Sequence, residues 1–366
     1  MHHESGPGGP GTSLVEGDEA ERSAAPDSSP AATPRPLLAL PSTADRTYQW
    51  VTSGAGATVL AIMLFVGLFL LLRAADAIGR AGWSFLTTAA WQPDGGSFGI
   101  AAMLTGTVLI GLTAIVIAVP LAVGTALYIS EYAPTRLRRL LINLVDLMAA
   151  VPSVVYGLWG FFLLQPQLLA KGPQGEGLPR WLATYLGWIP IFEVQQAGGA
   201  VDLSDPATSG TIVTSSMFIA AVVVALMVAP VACSIMREGF SQAPAGEREG
   251  AYALGSTKWG MIRSVVLPFG AGGIVGGTML GLGRALGETI AVAMILSLAF
   301  DVKIRILENG GGSIPVLIVL KYGEGSVFAI SALMAAGLSL FLLTLVVNFG
   351  ASAVIARSRS GAVSDA

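Results

Sequence analysis

The chain has 366 residues, 53% of them hydrophobic and 12% charged, with a formal net charge of -3 and a mean hydropathy of +0.71. A soluble domain carries about 25% charged residues, so an ordinary soluble protein is excluded, and the slightly negative balance leaves no basic footprint for nucleic acid. The single cysteine, Cys233, cannot form an intrachain disulfide and reads as a small packed side chain inside an apolar run.

Residues 1–46 are rich in Gly, Pro, Ser, Ala and acidic side chains. They hold too little apolar surface to offset the entropy of ordering, so a disordered tail is expected. This tail does not read as a signal peptide, because the first apolar run starts only after Trp50 and is too long. His2 and His3 stand there as an isolated pair, without the further ligands a metal site needs.

Six apolar segments follow, at about 52–72, 101–130, 141–170, 211–236, 268–300 and 326–356. Each reaches or exceeds the ~20 residues a helix needs to cross a bilayer. The fold class expected is an all-α membrane protein with six transmembrane helices, occupying 47–356 and followed by a short tail at 357–366. Prolines at 120, 152 and 230 suggest kinks or breaks, tolerated where neighbouring helices satisfy the freed backbone groups. With the N-terminus inside, twelve Lys and Arg fall in the inner connections and six in the outer ones, the densest inner cluster being Arg136, Arg138 and Arg139. That asymmetry places both termini in the cytoplasm, and Trp83, Trp91, Trp181 and Trp188 fit an outer aromatic belt.

Between the fourth and fifth segments, at about 237–268, lies Glu249-Gly250-Ala251-Tyr252-Ala253-Leu254-Gly255, then nine residues, then Val265-Val266-Leu267-Pro268. Pro244 with Glu247 and Glu249 marks a helix start. Gly255 can adopt the left-handed conformation that ends the helix, and Ser256 or Thr257 can cap a second one running toward Pro268. Helix, turn, helix is therefore expected, with a polar face toward the cytoplasm.

This segment resembles the EAA signature of the inner-membrane components of binding-protein-dependent ABC importers, with the spacing intact, Gly250 at the second position and Val265 in place of Ile. The resemblance implies a type I ABC importer permease fold in which Glu249, Ala251 and Gly255 belong to a coupling helix seated on an ATPase subunit. The chain itself lacks a P-loop, since none of its four lysines follows a Gly. ATP, and the reaction that consumes it, would then belong to a partner chain, and no catalytic residue, metal or bound cofactor is expected here. A stand-alone membrane enzyme or channel would not need such a docking surface.

In the fifth segment, Gly281-Leu282-Gly283-Arg284-Ala285-Leu286-Gly287-Glu288-Thr289 places a cation and an anion at i and i+4, on one helix face and inside the membrane. Ionised groups there are costly and usually face a polar path or a partner. Two readings stay open. One is an intrahelical ion pair that keeps both charges neutral. The other is an anion gate, in which the Arg284 fork attracts phosphate oxygens while Glu288 neutralises the cation between passages, accepts a hydrogen bond from a protonated phosphate and repels sulfate. Gly273, Gly277 and Gly281, spaced by four, read as a seam for close helix packing.

The runs from Val145 to Gly160 and from Gly281 to Thr289 are similar to those of phosphate-specific importer permeases of the PstC type, over roughly residues 50–356. That resemblance implies inorganic phosphate as substrate and a translocation path lined by Arg284, Glu288 and Thr289. It also implies a second permease of the PstA type, a PstB-type ATPase dimer, an extracytoplasmic PstS-type phosphate-binding protein, and a bacterial plasma membrane location. A permease for another oxyanion or small solute is the alternative. Asp146, in the first run, is open to three roles: capping, pairing with the Arg136 to Arg139 cluster, or touching substrate.

Overall fold

The computed structural model describes residues 42–169, 177–196, 199–200, 215–323 and 325–359. The expected tail up to residue 41, His2 and His3 with it, the parts of the expected outer connection at 171–176, 197–198 and 201–210, and the last residues from 360 lie outside the described residues. Two units separate, Met1–Thr58 and Val59–Ala366.

Helix α1 (Thr43–Ala81), whose first residues belong to the first unit and whose remainder belongs to the second, begins at a reciprocal cap. The Ser42 N–H donates to Asp45 Oδ2 at 2.9 Å and the Asp45 N–H donates to Ser42 Oγ at 3.2 Å, which satisfies two donors that a helix start leaves unpaired. The helix therefore begins at Thr43, a few residues inside the stretch expected to be tail.

In the second unit, α2 (Ser84–Thr87) and a hairpin of β1 (Trp91–Gln92) and β2 (Ser97–Phe98), with Trp91 opposite Phe98, lead to α3 (Ala101–Leu127). A wide π-turn, Tyr128–Tyr132, ends α3. Next come α4 (Thr135–Ala150), α5 (Ser153–Trp159), a second π-helical stretch at Gly160–Leu169, and α6 (Leu178–Leu186). After the hairpin of β3 (Gln195–Gln196) and β4 (Gly199–Ala200) runs α7 (Met217–Ser241). The chain closes with α8 (Ala245–Ala253), α9 (Lys258–Met261), a third π-turn at Ile262–Val266, α10 (Leu267–Gly287), α11 (Ile290–Ile295), α12 (Ile314–Tyr322) and α13 (Val327–Arg359).

Among the described residues, five helices are long and apolar enough to cross a membrane, and six if α4 with the segment from Ser153 to Pro166 counts as one bent span. This matches the six expected segments, with three differences. The third is not one helix: its halves meet at 91° across Val151 and Pro152. Pro152 has no N–H for the Met148 carbonyl, which accepts instead from the Val151 N–H at 3.3 Å and from the Tyr156 hydroxyl at 3.0 Å. The fifth begins earlier than expected, because the helix after the turn runs from Lys258 through the π-turn and past Pro268, which falls directly after that turn. It also ends at Gly287 rather than near 300. The stretch from Leu296 to Ser313 is non-helical and re-enters the protein, so that Ile306, Leu307 and Ile314 are buried. Pro120 and Pro230 lie within continuous helices.

Helix α7 is the buried axis of this unit, its apolar side chains from Met217 to Phe240 packing against α3 and α10. Cys233 is buried there, as its apolar run implies. The glycine seam lies between α7 and α10: a Cβ on Gly273 would sit 2.9 Å from the Gly239 Cα, and one on Gly277 would sit 2.9 Å from the Ala232 carbonyl oxygen. No side chain fits at that separation, so the four-residue glycine spacing marks the backbone-to-backbone contact expected of it. Gly283 and Gly287, farther along, have open space beside them.

Candidate functional site

Two constellations emerge, one at each end of α10. The first is the turn between α7 and α10. Helix α8 starts after Pro244 and ends at Leu254, where Gly255 adopts φ +81°. The Gly255 N–H donates to the Tyr252 carbonyl at 2.9 Å and the Ser256 N–H to the Ala251 carbonyl at 3.1 Å. These two bonds define a Schellman motif, which needs a left-handed residue at Gly255. Thr257 then caps α9, its Oγ1 accepting from the Gly260 N–H at 3.1 Å. The helix, turn, helix expected from Pro244, Gly255 and Thr257 is present.

Nothing in α8 is buried. Glu249 is exposed, Ala251 is half-buried against the core formed by Ala126, Ile129, Phe240 and Ile262, and beyond the helix end Leu254 is 89% exposed. Tyr252 and Trp259 add further exposed apolar surface. A compact apolar face rimmed by polar residues suits protein contact.

One feature of this turn has no counterpart in sequence reasoning. Arg248, directly before Glu249, donates from Nη1 to both Glu131 oxygens at 3.0 and 3.3 Å and from Nη2 to the Phe240 carbonyl at 2.7 Å. The Glu131 side chain is only 5% exposed and also accepts from Ser130 Oγ at 2.8 Å. Lys258 lies over the Tyr132 ring, 4.5 Å from its centre, within the range of a cation–π attraction. The only signal in the sequence was a glutamate at the end of an apolar segment, 117 positions from its partner.

The second constellation lies where the fifth span breaks. Arg284 stands in the last turn of α10, half-buried, and opens on a cleft of about 460 Å³ lined also by Val231, Met279, Leu280, Gly283 and Asn348. Glu288 is not on that helix: its backbone is extended at φ -66°, ψ 125°, and its side chain is buried. The two charges therefore do not share a helix face, and no hydrogen bond or ion pair joins them among the described residues. This corrects the reading of the two as an intrahelical ion pair. The reason is local. Helix α11 restarts at Ile290 with an unsatisfied N–H at Ala291, and Glu288 Oε1 accepts it at 3.2 Å. Thr289 is the residue between the helices, its Oγ1 donating to the Gly287 carbonyl at 3.1 Å. Arg284, Glu288 and Thr289 thus cluster at one discontinuity, in different roles.

Asp146 is placed away from the Arg136 to Arg139 cluster. Its Oδ1 accepts from Ser234 Oγ on α7 at 2.8 Å, which pins the C-terminal part of α4 to the central helix.

Comparison with known proteins agrees with this architecture. The chain is 39% identical over 317 residues to the phosphate transport system permease protein PstC 2 of Mycobacterium tuberculosis, covering 85% of this chain and 91% of the relative. It is 40% identical over 294 residues to the phosphate transport system permease protein PstC of Mycobacterium leprae, covering 78% and 85%. The fold matches that of a chain in a bacterial alginate ABC transporter solved in complex with its alginate pentasaccharide-bound periplasmic protein, with a TM-score of 0.52 at 15% identity, covering 84% of this chain and 94% of that one. Residues 118–360 match the family described as binding-protein-dependent transport system inner membrane component. With a broken span, a capped turn of the right spacing and relatives of this identity across most of its length, the chain belongs to that family of ABC importer permeases.

Proposed function

We propose that this chain is the permease subunit of an ATP-driven importer of inorganic phosphate in a bacterial plasma membrane, with both termini in the cytoplasm. It forms the translocation path with a second permease of the PstA type. A PstB-type ATPase dimer, which holds the ATP, docks on Glu249, Ala251 and Gly255, and a PstS-type protein delivers phosphate from the opposite side.

The observation that carries the substrate is Arg284, a guanidinium held half-buried at the end of α10 and opening on a cleft in an otherwise apolar bundle. Its planar fork matches tetrahedral oxyanions, and the low dielectric around it strengthens that attraction. Glu288, buried at the same discontinuity, opposes a fully ionised anion such as sulfate, whereas a protonated phosphate oxygen can donate to a carboxylate. The names of the relatives support the same reading. Phosphate uptake by cells lacking only this gene, beside sulfate and molybdate uptake, tests it: loss of phosphate uptake alone is expected, and loss of another oxyanion instead would reassign the substrate.

A further inference from the structure

The turn that carries α8 is attached to the rest of the protein in a specific manner. None of its helical residues is buried, so its position depends on few contacts. One of these, Arg248, reaches two different elements at once: the Glu131 carboxylate in the π-turn that ends α3, and the Phe240 carbonyl in the last turn of α7. Glu131 is nearly fully enclosed and is further held by Ser130. The Arg248 side chain is 24% exposed and its Nε is buried, so the guanidinium faces mainly into the protein, toward Glu131 and Phe240. A buried pair of this kind is a weak source of net stability, and its best-attested use is to fix one geometry among alternatives.

We propose that Arg248 and Glu131 form a clasp that locks the coupling helix to the end of α3, so that displacement of α8 by the ATPase is transmitted into α3 and not only through the continuous helix into α10. Both are positioning residues, acting through the elements they join. Glu131 lies within the π-turn at Tyr128–Tyr132, with its side chain only 5% exposed. Lys258 over Tyr132 ties α9 to the same turn. The inference rests on the coupling reading of α8 given above.

The test uses the assembled complex in liposomes with its binding protein loaded with inorganic phosphate. Arg248→Gln, Arg248→Lys and Glu131→Gln are compared with wild type for retention of the ATPase subunits and for the ratio of stimulated to basal ATP hydrolysis. In parallel, spin labels at Gly250→Cys and Tyr128→Cys, both exposed positions, report the distance between α8 and the end of α3 with and without Mg-ATP. In wild type that distance should stay constant across nucleotide states. Arg248→Gln and Glu131→Gln should keep the ATPase subunits, lose about tenfold in the stimulation ratio, a size typical of coupling between sites, and show a broadened, nucleotide-dependent distance. Arg248→Lys, which keeps the charge but not the fork, should fall between. A wild-type ratio with an unchanged distance in Arg248→Gln overturns the clasp. Loss of the ATPase subunits from that variant also overturns it, by making Arg248 part of the docking surface. Gly255→Val separates the two levels of inference: if it too couples fully, the docking reading of the turn fails, whereas a crippled Gly255→Val beside an intact Arg248→Gln defeats the clasp alone.

Discussion

Replacing Gly255 isolates the backbone of the coupling turn from its contacts. A Cβ at this position meets nothing within 4 Å, so the cost is conformational, not steric. At φ +81° an L-residue is strained by about 1–2 kcal/mol, and Gly255→Ala should incur that cost with the Schellman bonds intact. Valine is β-branched and tolerates the left-handed region worst, so Gly255→Val should open the turn and release the bonds from Gly255 to Tyr252 and from Ser256 to Ala251, each contributing about 0.5–1.5 kcal/mol net. A loss of 1–2 kcal/mol is roughly a 5- to 30-fold change in the opening equilibrium. Amide hydrogen exchange over residues 247–256 of the purified complex reads it directly: exchange there should accelerate by about that factor in Gly255→Ala and more in Gly255→Val, with α7 unaffected. Gly250, in the interior of exposed α8 with open space beside it, gives the opposite sign, since Gly250→Ala should stabilise the helix by about 0.8–1 kcal/mol. Phosphate transport should fall in Gly255→Val and persist in Gly250→Ala. Unchanged exchange in Gly255→Val, or full transport by it, would refute the argument that the left-handed residue sets the turn and that the turn sets coupling.

Arg284→Gln should cut phosphate transport by complexes that still assemble by roughly 10- to 150-fold, the equivalent of the about 1.5–3 kcal/mol of a hydrogen bond to a charged group; normal uptake in liposomes would remove Arg284 from the path. Glu288→Gln should retain partial phosphate transport and admit more sulfate, because the amide oxygen can still accept from the Ala291 N–H while the repelling charge is gone. Tyr156→Phe removes the shorter of two hydrogen bonds to the Met148 carbonyl and leaves the one from the Val151 N–H, and the thermal midpoint of the purified complex should drop by the equivalent of about 0.5–1.5 kcal/mol; an unchanged midpoint would mean that the hydroxyl adds nothing to the bend. Single cysteines at Trp188 and Leu254, both well exposed, should react with an impermeant reagent from opposite faces of the membrane, Trp188→Cys from outside, and labelling of both from outside would reverse the orientation proposed here.

The turn was legible in the sequence because local chemistry governs it: a proline start, a glycine end and a threonine cap lie within fourteen residues and act without distant partners. The six spans were legible for the same reason, as length and hydropathy set them. The break after Gly287 was not, because Arg284 and Glu288 read as an i, i+4 pair and Gly287 is one of several glycines in a helix whose others do not end it. What decides it is the Ala291 N–H, supplied by a helix that has yet to start. The clasp from Arg248 to Glu131 was hidden by its span of 117 positions. Pro152 announced a discontinuity but not its 91° angle, which depends on how α5 packs on α11 and α7.

The contact between α7 and α10 leaves little freedom for those two helices to slide. Gly239 and Gly273 touch through their backbones, and a Cβ on Gly270 would lie against the Phe240 ring, so a shift of one residue in register would drive Phe240 or Met236 into main chain. The pair therefore behaves as a rigid strut. Alternating access has to be accommodated by hinges outside it, and the chain provides two: the bend at Val151 and Pro152, and the unwound Glu288 and Thr289.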